Sequence, residues 1–275
     1  MGRVEKRLYR RRKRRMKTLL IILAVVMIAA GVFVWRSWPE PFSIEQLGQQ
    51  MKSRTTADEG RTETREVTLG EEIWYAIQTG VFSTEEAARQ KADAYTQRGA
   101  PGTVIREGEK WRVFIACYPT ETEASAVRTR LEQNQKVDTY LYAWKCPELR
   151  LRMTGKVSQL DAVEAGFTLL SSAAAALRDT ATELDAAQLT AQEAKNVVRS
   201  LDEQITLWEK TLRSCFGRTL PALAQDLLTI SANWDERRGT IMNAEGATEL
   251  SAALKAQGMG MYDEIAAWRR AFAAK

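Results

Sequence analysis

The sequence predicts an α+β module followed by an all-α domain, with one transmembrane helix in front of both. Three observations predict this: an uncharged apolar run near the N-terminus, alternating strand patterns that lead into helical patterns, and an Ala-rich C-terminal region with apolar residues at helical spacing. The predicted parts are a basic cytoplasmic tail, a transmembrane helix, a linker, an α+β module and a helical domain, at residues 1–17, 18–36, 37–72, 73–146 and 157–275.

The N-terminus joins a basic cluster to the apolar run. Residues 1–17 hold ten Lys/Arg and one Glu, a net charge of +9 in a chain whose total is +5. Residues 18–35 would reach about 27 Å as a helix, close to the thickness of a bilayer core. Because the basic side of a span stays in the cytoplasm, we expect a single-pass protein whose later domains lie outside it. A cleaved signal peptide, with residues 29–31 as its cleavage region, and a nucleic-acid-binding basic run are the alternatives.

Residues 37–72 separate the apolar run from the module. They are polar, with little periodicity, and the stretch 52–65 in particular is predicted to be a flexible tether. About thirty such residues have an end-to-end distance of roughly 30 Å, so the module is expected to search a layer above the membrane.

The composition excludes several classes of catalytic and metal site. The chain has no histidine, which excludes Ser–His and Cys–His nucleophilic pairs and His-ligated zinc. The cysteines are widely spaced and three in number, so they imply neither a disulfide framework nor a metal site. Cys117 and Cys146 are either one local bridge or two buried thiols. We therefore expect no catalytic residue, metal or cofactor, and no nucleic-acid partner for a body that carries −4 beyond residue 17.

The module is predicted to be a four-stranded sheet in the order βαββαβ. Ser83 and Glu86 have capping-box spacing at the start of the first helix, and Thr120 and Glu123 repeat it at the second. The predicted strands cover residues 74–82, 103–107, 111–118 and 137–143, with a hairpin turn at 107–110.

One face of this sheet is predicted to be open, because two helices in a single layer cover only the other face. Period-two alternation places five side chains on the open face: Gln78, Arg112, Phe114, Tyr140 and Tyr142. A sugar ring offers an apolar face for aromatic planes, and hydroxyl and amide groups for hydrogen bonds. We therefore expect this face to bind a saccharide, although a one-residue slip of the last strand would turn its two tyrosines inward.

Two motifs in the module resemble those of SPOR (sporulation-related repeat) domains. The run IQTGVFS at residues 77–83 is similar to their apolar–Gln–x–Gly–x–Phe–Ser opening, and WRVFIACYPT at 111–120 resembles their aromatic–Arg–Val–x–Val–Gly–Pro–aromatic run. The resemblance covers residues 74 to about 143. It implies a ferredoxin-like fold that binds peptidoglycan, prefers glycan strands stripped of stem peptides, and gathers at division or sporulation septa. Ala116-Cys117 replaces the family's Gly-Pro, which leaves the geometry of that strand end open.

The resemblance also implies site residues. Gln78 matches the family's glutamine at the glycan groove, and Gly80 the glycine that keeps the strand end open. Phe82, Arg112 and Tyr118 match further motif positions, with core packing as the alternative for the two aromatics and a surface ion pair for the arginine. The expected glycan-binding residues are Gln78, Gly80, Phe82, Arg112, Phe114, Tyr118, Tyr140 and Tyr142.

The C-terminal domain is predicted to be a helical hairpin or antiparallel coiled coil. An apolar seam at three-and-four spacing predicts one helix over 157–213, about 85 Å long, with a three-residue skip near 184–187. Two later helices, 219–238 and 248–274, are expected to fold back along it, with a kink at 258–260. Pairing of the long helix between molecules is the alternative. Such seams are packing surfaces, so no cofactor site is expected in them, and we expect the domain to recruit or brace another protein.

Together these features predict a non-enzymatic, membrane-anchored, peptidoglycan-binding protein of the cell envelope. The alternatives are a coiled-coil scaffold whose small domain no longer binds glycan, a wall hydrolase, and an RNA binder with an RRM-like sheet.

Overall fold

The computed structural model describes residues 61–274. The basic tail, the predicted membrane helix and most of the predicted linker lie outside the described residues. The described strands are β1 (Thr62–Leu69), β2 (Glu72–Phe82), β3 (Thr103–Glu107), β4 (Lys110–Tyr118), β5 (Tyr140–Cys146) and β6 (Leu149–Lys156). The described helices are α1 (Glu85–Thr96), α2 (Glu121–Gln135), α3 (Val157–Asp185), α4 (Ala191–Phe216), α5 (Ala222–Ala232), α6 (Trp234–Asn243) and α7 (Gly246–Ala273).

The four strands of the module form an antiparallel sheet in the order β3-β4-β2-β5. The predicted succession βαββαβ is confirmed, and α1 and α2 pack on one face of the sheet. The second helix has the predicted cap, because the Glu123 amide donates to Thr120 Oγ1 at 3.2 Å. The first helix begins one residue later than predicted: Thr84, not Ser83, caps it by accepting from the Ala87 amide at 3.3 Å.

A second, two-stranded sheet joins the two ends of the module. Residues 62–69, predicted to be linker, form β1, which pairs with β6 from Thr62↔Lys156 to Leu69↔Leu149. Alternate residues of both strands face inward, and the leucines and methionine of β6 are buried. Glu63 and Arg65 at inward-facing positions of β1 hid this alternation in the sequence. The prediction of a linker over residues 37–72 is therefore wrong for residues 62–69.

The predicted single helix over 157–213 is wrong, because the chain turns back at residues 186–190. Ala187 adopts a left-handed conformation with φ of 53°, and Thr190 then starts α4 with a capping box to Glu193. As a result α4 packs back against α3. The three-residue skip in the apolar seam is a turn between two helices.

Helix α3 lies at the centre of the helical domain. Trp208 of α4 packs on Gly166 and donates from its indole nitrogen to the Ala162 carbonyl at 2.9 Å. Helix α7 also packs along α3, and Gly258 permits this closeness because a Cβ there would meet the Ala174 carbonyl at 3.2 Å.

Helix α7 runs continuously through residues 258–260, where the sequence predicts a kink, and Gly258 lets it approach α3. The predicted helix 219–238 is instead two helices that change direction at Asn233, so that Trp234 is buried with its indole nitrogen 3.0 Å from Asp202. Within residues 61–274, α3 is also the one helix long and apolar enough to cross a membrane. Half of its most apolar 18-residue stretch is buried in the fold.

The second face of the four-stranded sheet is covered by the helical domain, so the expectation of an open face is wrong over most of its area. Trp74, Phe114 and Trp144 of the sheet are buried in one core with the C-terminal helices. Tyr262 of α7 stacks on Trp74 with ring centroids 4.1 Å apart, and the Arg178 guanidinium of α3 lies 4.5 Å from the Trp74 ring centroid. The module and the helical domain thus form one compact unit.

Candidate saccharide-binding site

The part of the second face around Tyr140 remains accessible beside α7, whereas Gln78 is only 7% exposed. Gln78 of β2 pairs with Tyr140 of β5, and the Tyr140 side chain is 63% exposed. Tyr142 lies partly exposed on the same strand, and Arg112 enters from β4. The predicted register of the last strand is confirmed, because Leu141 faces the α1–α2 side while Tyr142 packs on the opposite core.

A connected hydrogen-bond network fixes these side chains. Arg112 Nη1 donates to Gln78 Oε1 at 2.7 Å, and Arg112 Nε donates to Glu107 Oε2 at 2.6 Å. The Tyr142 hydroxyl donates to the other oxygen of Glu107. The Arg112 guanidinium also lies 4.4 Å from the centroid of the Tyr142 ring, a cation–π distance. Arg112 therefore holds both the amide and the aromatic ring in place.

The protonation states of the network suit binding rather than proton transfer. Burial and the hydrogen bond to Glu107 raise the pKa of Tyr142 to about 12, so this hydroxyl stays a donor. Burial acts to raise the pKa of Glu107, but hydrogen bonds from Tyr142 and Arg112 outweigh burial and lower this pKa. Glu107 therefore stays a carboxylate. Neither group titrates near neutral pH, as a general acid or base would need to do.

An irregularity in the pairing of β2 with β4 directs Gln78 towards this face. The register shifts on both sides of Gln78, which pairs with Phe114, whereas Gly80 pairs with Val113. After the bulge, Phe82 turns to the helix side and packs under Gly80, where a Cβ would meet the Phe82 ring at 2.6 Å. A side chain at residue 80 would require the Phe82 ring to shift. A bulge of this kind re-aims side chains at a strand end.

The predicted site residues divide into two groups. Gln78, Arg112, Tyr140 and Tyr142 come together as described. The remaining ones support the fold: Phe114 is fully buried beneath Tyr142 and Trp144, Tyr118 lies in the core on the α1–α2 side, and Gly80 and Phe82 pack against each other. These four residues do not line the accessible surface, and the ligand contacts proposed below leave them out.

Sequence reasoning missed two contributors to this surface. Glu107 was assigned only to a hairpin turn, although it joins Arg112 to Tyr142. Helix α7 was not expected near the sheet, because no local pattern reports a contact between segments so distant in the sequence. Cys117 and Cys146 are both free, with strand β2 between their strands. Among residues 61–274 no Cys, Asp and Glu side chains group as a metal site.

Comparisons with known proteins agree with the motif resemblance. The SPOR domain family model matches residues 74–143. Two curated relatives, both named endolytic peptidoglycan transglycosylase RlpA, from Salmonella typhi and Salmonella typhimurium, are 28% identical over 68 residues, which is 24% of this chain and 18% of theirs. The chain thus spans less than a fifth of their length. A solved structure, the peptidoglycan-binding domain of the Bacillus subtilis cell wall lytic enzyme CwlC, is 19% identical, covers 26% of this chain and 90% of that one, and has a TM-score of 0.23.

Proposed function

We propose that this chain, which carries a SPOR domain at residues 74–143, binds the glycan strands of peptidoglycan. The observation that carries the proposal is the surface made by Arg112, Tyr140 and Tyr142, in which the buried Gln78 holds Arg112 in place. It combines an exposed aromatic ring with hydrogen-bonding groups that the fold already holds in position. Such pre-ordering lowers the entropy lost when a ligand binds.

Each group has a chemical role in this proposal. Tyr140 offers a flat apolar plane to the C–H face of an amino sugar, and buried aromatic area contributes much of the energy at such interfaces. The guanidinium of Arg112 donates to hydroxyl and acetamido oxygens, and the buried Gln78 orients that guanidinium by accepting from it. Glu107, held as a carboxylate, accepts from sugar hydroxyls. Tyr142 forms the floor on which Arg112 rests.

The wider setting is also proposed. The basic residues 1–17 and the uncharged run 19–35 support a single-pass membrane protein with a cytoplasmic N-terminus and an extracytoplasmic body. Residues 74–143 support a role on denuded septal glycan during division or sporulation, since that is what the SPOR resemblance implies. The match to the transglycosylase covers only its SPOR part, and the site described above has no acid–base pair. We therefore propose a binding protein without enzymatic activity.

The helical domain is proposed to bind a second protein. Its apolar residues are largely used against the sheet and among the helices. The outer side of α4, where Leu207 is exposed, is the surface that we assign to this partner. A scaffold that no longer binds glycan remains the alternative function, motivated by the Ala116-Cys117 departure from the motif.

Sedimentation with sacculi tests the proposed function. Full-length protein in detergent is mixed with purified sacculi treated with an amidase that removes stem peptides, and the pelleted fraction is measured. We expect the wild type to pellet and Tyr140→Ala to lose most of its binding, because the exposed ring is removed without opening the core. Arg89→Ala, on the exposed side of α1, is the matched control and should pellet like the wild type. If the wild type pellets no more than it does without sacculi, the proposed function is wrong.

A further inference from the structure

The chain enters the described body at the N-terminal end of helix α3. The Val157 amide, in the first residue of α3, donates to the Arg61 carbonyl at 3.2 Å. Helix α4 packs back along α3, and its last turn reaches the same end, where Gln159 Nε2 donates to the Cys215 carbonyl at 3.2 Å. The entering chain, the start of α3 and the end of α4 therefore lie together.

Three exposed cations stand at this end. Lys156 immediately precedes α3, Arg213 lies in the last turn of α4, and Arg218 follows α4 in the turn to α5. All three residues are exposed, and within residues 61–274 none of them takes part in an ion pair. We call the surface formed by Lys156, Arg213 and Arg218 the basic end.

The carboxylates nearest to the basic end are turned towards an arginine. Arg65 of β1 donates to Glu63, to Asp161 at 2.7 Å and to Glu164 at 3.1 Å. All four side chains are partly buried, and Arg65 offsets part of the negative charge. The three cations, in contrast, face solvent, so the basic end presents positive charge at the point where the chain enters.

We propose that the basic end docks on the anionic phospholipid headgroups of the membrane that residues 18–36 are proposed to span. The inference rests on that proposed anchor and adds an orientation of the body. The polar composition of residues 37–60 predicts an end-to-end distance of roughly 25–30 Å, which keeps the basic end at a high effective concentration of headgroups. A few cations are then enough, because each basic residue near an anionic surface favours the bound state by about a factor of five.

Helix α3 sets the distance from the basic end to the four-stranded sheet. The Arg178 guanidinium lies 4.5 Å from the centroid of the Trp74 ring. Arg178 follows Val157 by 21 residues, which is about 32 Å along a helix. Tyr140 pairs with Gln78, four residues further along β2 from Trp74. With α3 standing on its N-terminal end, docking would hold the sheet about 30 Å from the headgroups.

The other end of α3 provides a reference position for a measurement. Asp185, the last residue of α3, accepts from Ser251 Oγ at 2.5 Å. One turn before Ser251, Thr248 lies so close to Gly99 that a Cβ there would meet its methyl group at 2.7 Å. Gln97, at the end of α1, is therefore near this end of α3, on the order of 40 Å from the basic end.

Energy transfer between the protein and the headgroups tests the docking. Full-length protein is inserted into nanodiscs of phosphatidylcholine, or of phosphatidylcholine mixed with phosphatidylglycerol, with an acceptor dye on a fraction of the headgroups. The donor dye is attached to Thr219→Cys, in the turn beside Arg218, or to Gln97→Cys. Both proteins carry Cys215→Ser, which removes the one native thiol that is not buried.

Two charge variants have the same net charge and differ in where the charges are removed. The first replaces the three cations of the basic end by glutamine, and the matched control replaces three exposed cations of α1 and the turn after it. They are Lys156→Gln/Arg213→Gln/Arg218→Gln and Arg89→Gln/Lys91→Gln/Arg98→Gln. Thermal melting and sedimentation with sacculi should be the same for both variants as for the wild type, because neither variant alters the core or the candidate saccharide surface.

With phosphatidylglycerol present, the wild type and the α1 variant should transfer energy more efficiently from residue 219 than from residue 97. The basic-end variant should lose most of this difference, because three lost cations weaken the docked state by about a hundredfold at a factor of five each. Neutral discs should reduce the wild type to the same level. Salt near 1 M should do so as well, since the Debye length then falls to about 3 Å.

Three results would overturn the inference. If neutral and anionic discs give equal transfer from residue 219, or if the basic-end variant keeps the difference, the basic end does not dock on headgroups. If soluble polyglycerol phosphate binds the wild type but not the basic-end variant, and anionic discs draw residue 219 no closer, the ligand is a phosphate polymer and the lipid assignment is wrong. If the protein does not insert into discs, the proposed anchor fails, while sedimentation with sacculi still reports on glycan binding by itself.

Discussion

Tyr262 connects helix α7 to the sheet through its hydroxyl group and its ring. Its oxygen lies 2.8 Å from the Glu72 carbonyl and 2.9 Å from the Trp144 carbonyl, and its ring packs between Trp74 and Trp144 with centroid distances of 4.1 and 4.9 Å. Burial raises the pKa of this phenol, so the hydroxyl remains a donor at every pH at which the protein folds. The contact joins β2, β5 and α7.

Replacing Tyr262 by Phe should lower the free energy of unfolding by about 1–2 kcal/mol, because buried carbonyl groups lose their donor while the ring packing is kept. Urea unfolding followed by tryptophan fluorescence measures the change. Tyr140→Phe, at an exposed ring, is the control and should change stability little. Equal effects of the two substitutions would contradict the proposed role of the buried hydroxyl.

Asp263 makes stability depend on pH between about 4 and 6. Burial raises the pKa of Asp263 to about 6, with Arg270 opposing and Glu264 and Glu107 adding to the shift. Within the described chain its Oδ1 has no hydrogen-bond partner. An unfolded Asp titrates near 3.9, so the folded state holds this proton to higher pH. Its contribution to stability is therefore present at low pH and is lost as the pH rises through 6.

Asp263→Asn should accordingly be more stable than the wild type at pH 7.5, by up to about 2 kcal/mol, since each unit of pKa shift corresponds to about 1.4 kcal/mol. At pH 4 the two proteins should melt within a degree or two of each other. Thermal melts across this range measure the difference. A constant gap between the two curves would mean that the carboxylate is not the cause.

At the scale of elements, the turn between α3 and α4 is a Schellman motif with alanine in the position that glycine usually occupies. The Gln188 amide donates to the Glu183 carbonyl at 2.9 Å, and the Ala187 amide to the Leu184 carbonyl at 3.1 Å. Both bonds require residue 187 to be left-handed, and φ is indeed 53°. This conformation costs a non-glycine residue about 1–2 kcal/mol.

Ala187→Gly should therefore stabilise the protein by about 1 kcal/mol, because it removes this strain. The matched control is Ala186→Gly, one residue earlier, where φ is −81° and the added chain entropy should destabilise instead. Opposite signs in urea unfolding are the expected result. If both substitutions destabilise, Ala187 is not strained in solution.

The elements that local signals specify were predictable. The Thr120–Glu123 cap, the hairpin at Gly108 and the alternation of β4 each depend on neighbouring residues, and the predicted positions of these elements agree with the structure to within a residue or two. The turn at Ala187 was not predicted because no glycine marks it. Strand β1 was missed because its inner positions carry the charged residues Glu63 and Arg65. Arg65 can face inward because it pairs with two carboxylates of α3.

At the scale of the whole molecule, the sequence predicted most of the side chains of the candidate site. Gln78 and Arg112 followed from the motifs, and Tyr140 and Tyr142 from strand alternation. The position of helix α7 against the sheet could not be predicted, because it depends on packing between segments more than a hundred residues apart. One signal was available in the sequence. Trp74 and Trp144 lie on the same face of the sheet as Gln78, and such large apolar side chains are usually buried by another element.

Because the helical domain buries this face of the sheet, the behaviour of the isolated module can be predicted. A fragment of residues 73–146 would expose Trp74, Phe114 and Trp144, an apolar patch of the kind that drives association. We expect it to bind the dye ANS strongly and to elute as oligomers in size-exclusion chromatography. Residues 61–275, which keep the helices, should bind little dye and elute as a single species. A fragment that melts cooperatively without binding dye would contradict this view of the shared core.

The β1–β6 ribbon also has a mechanical consequence. Thr62 and Lys156 form the first pair of the ribbon, at the end where the chain enters from residue 61. Tension at residue 61, with the body held elsewhere, would first load the hydrogen bond from the Val157 amide to the Arg61 carbonyl, 3.2 Å long, then this pair and each following pair in turn. The eight residues of β1 would leave the ribbon one pair at a time. Fully extended, they measure roughly 28 Å, at about 3.3–3.6 Å per residue. Under such tension the ribbon would therefore open before the four-stranded sheet is loaded.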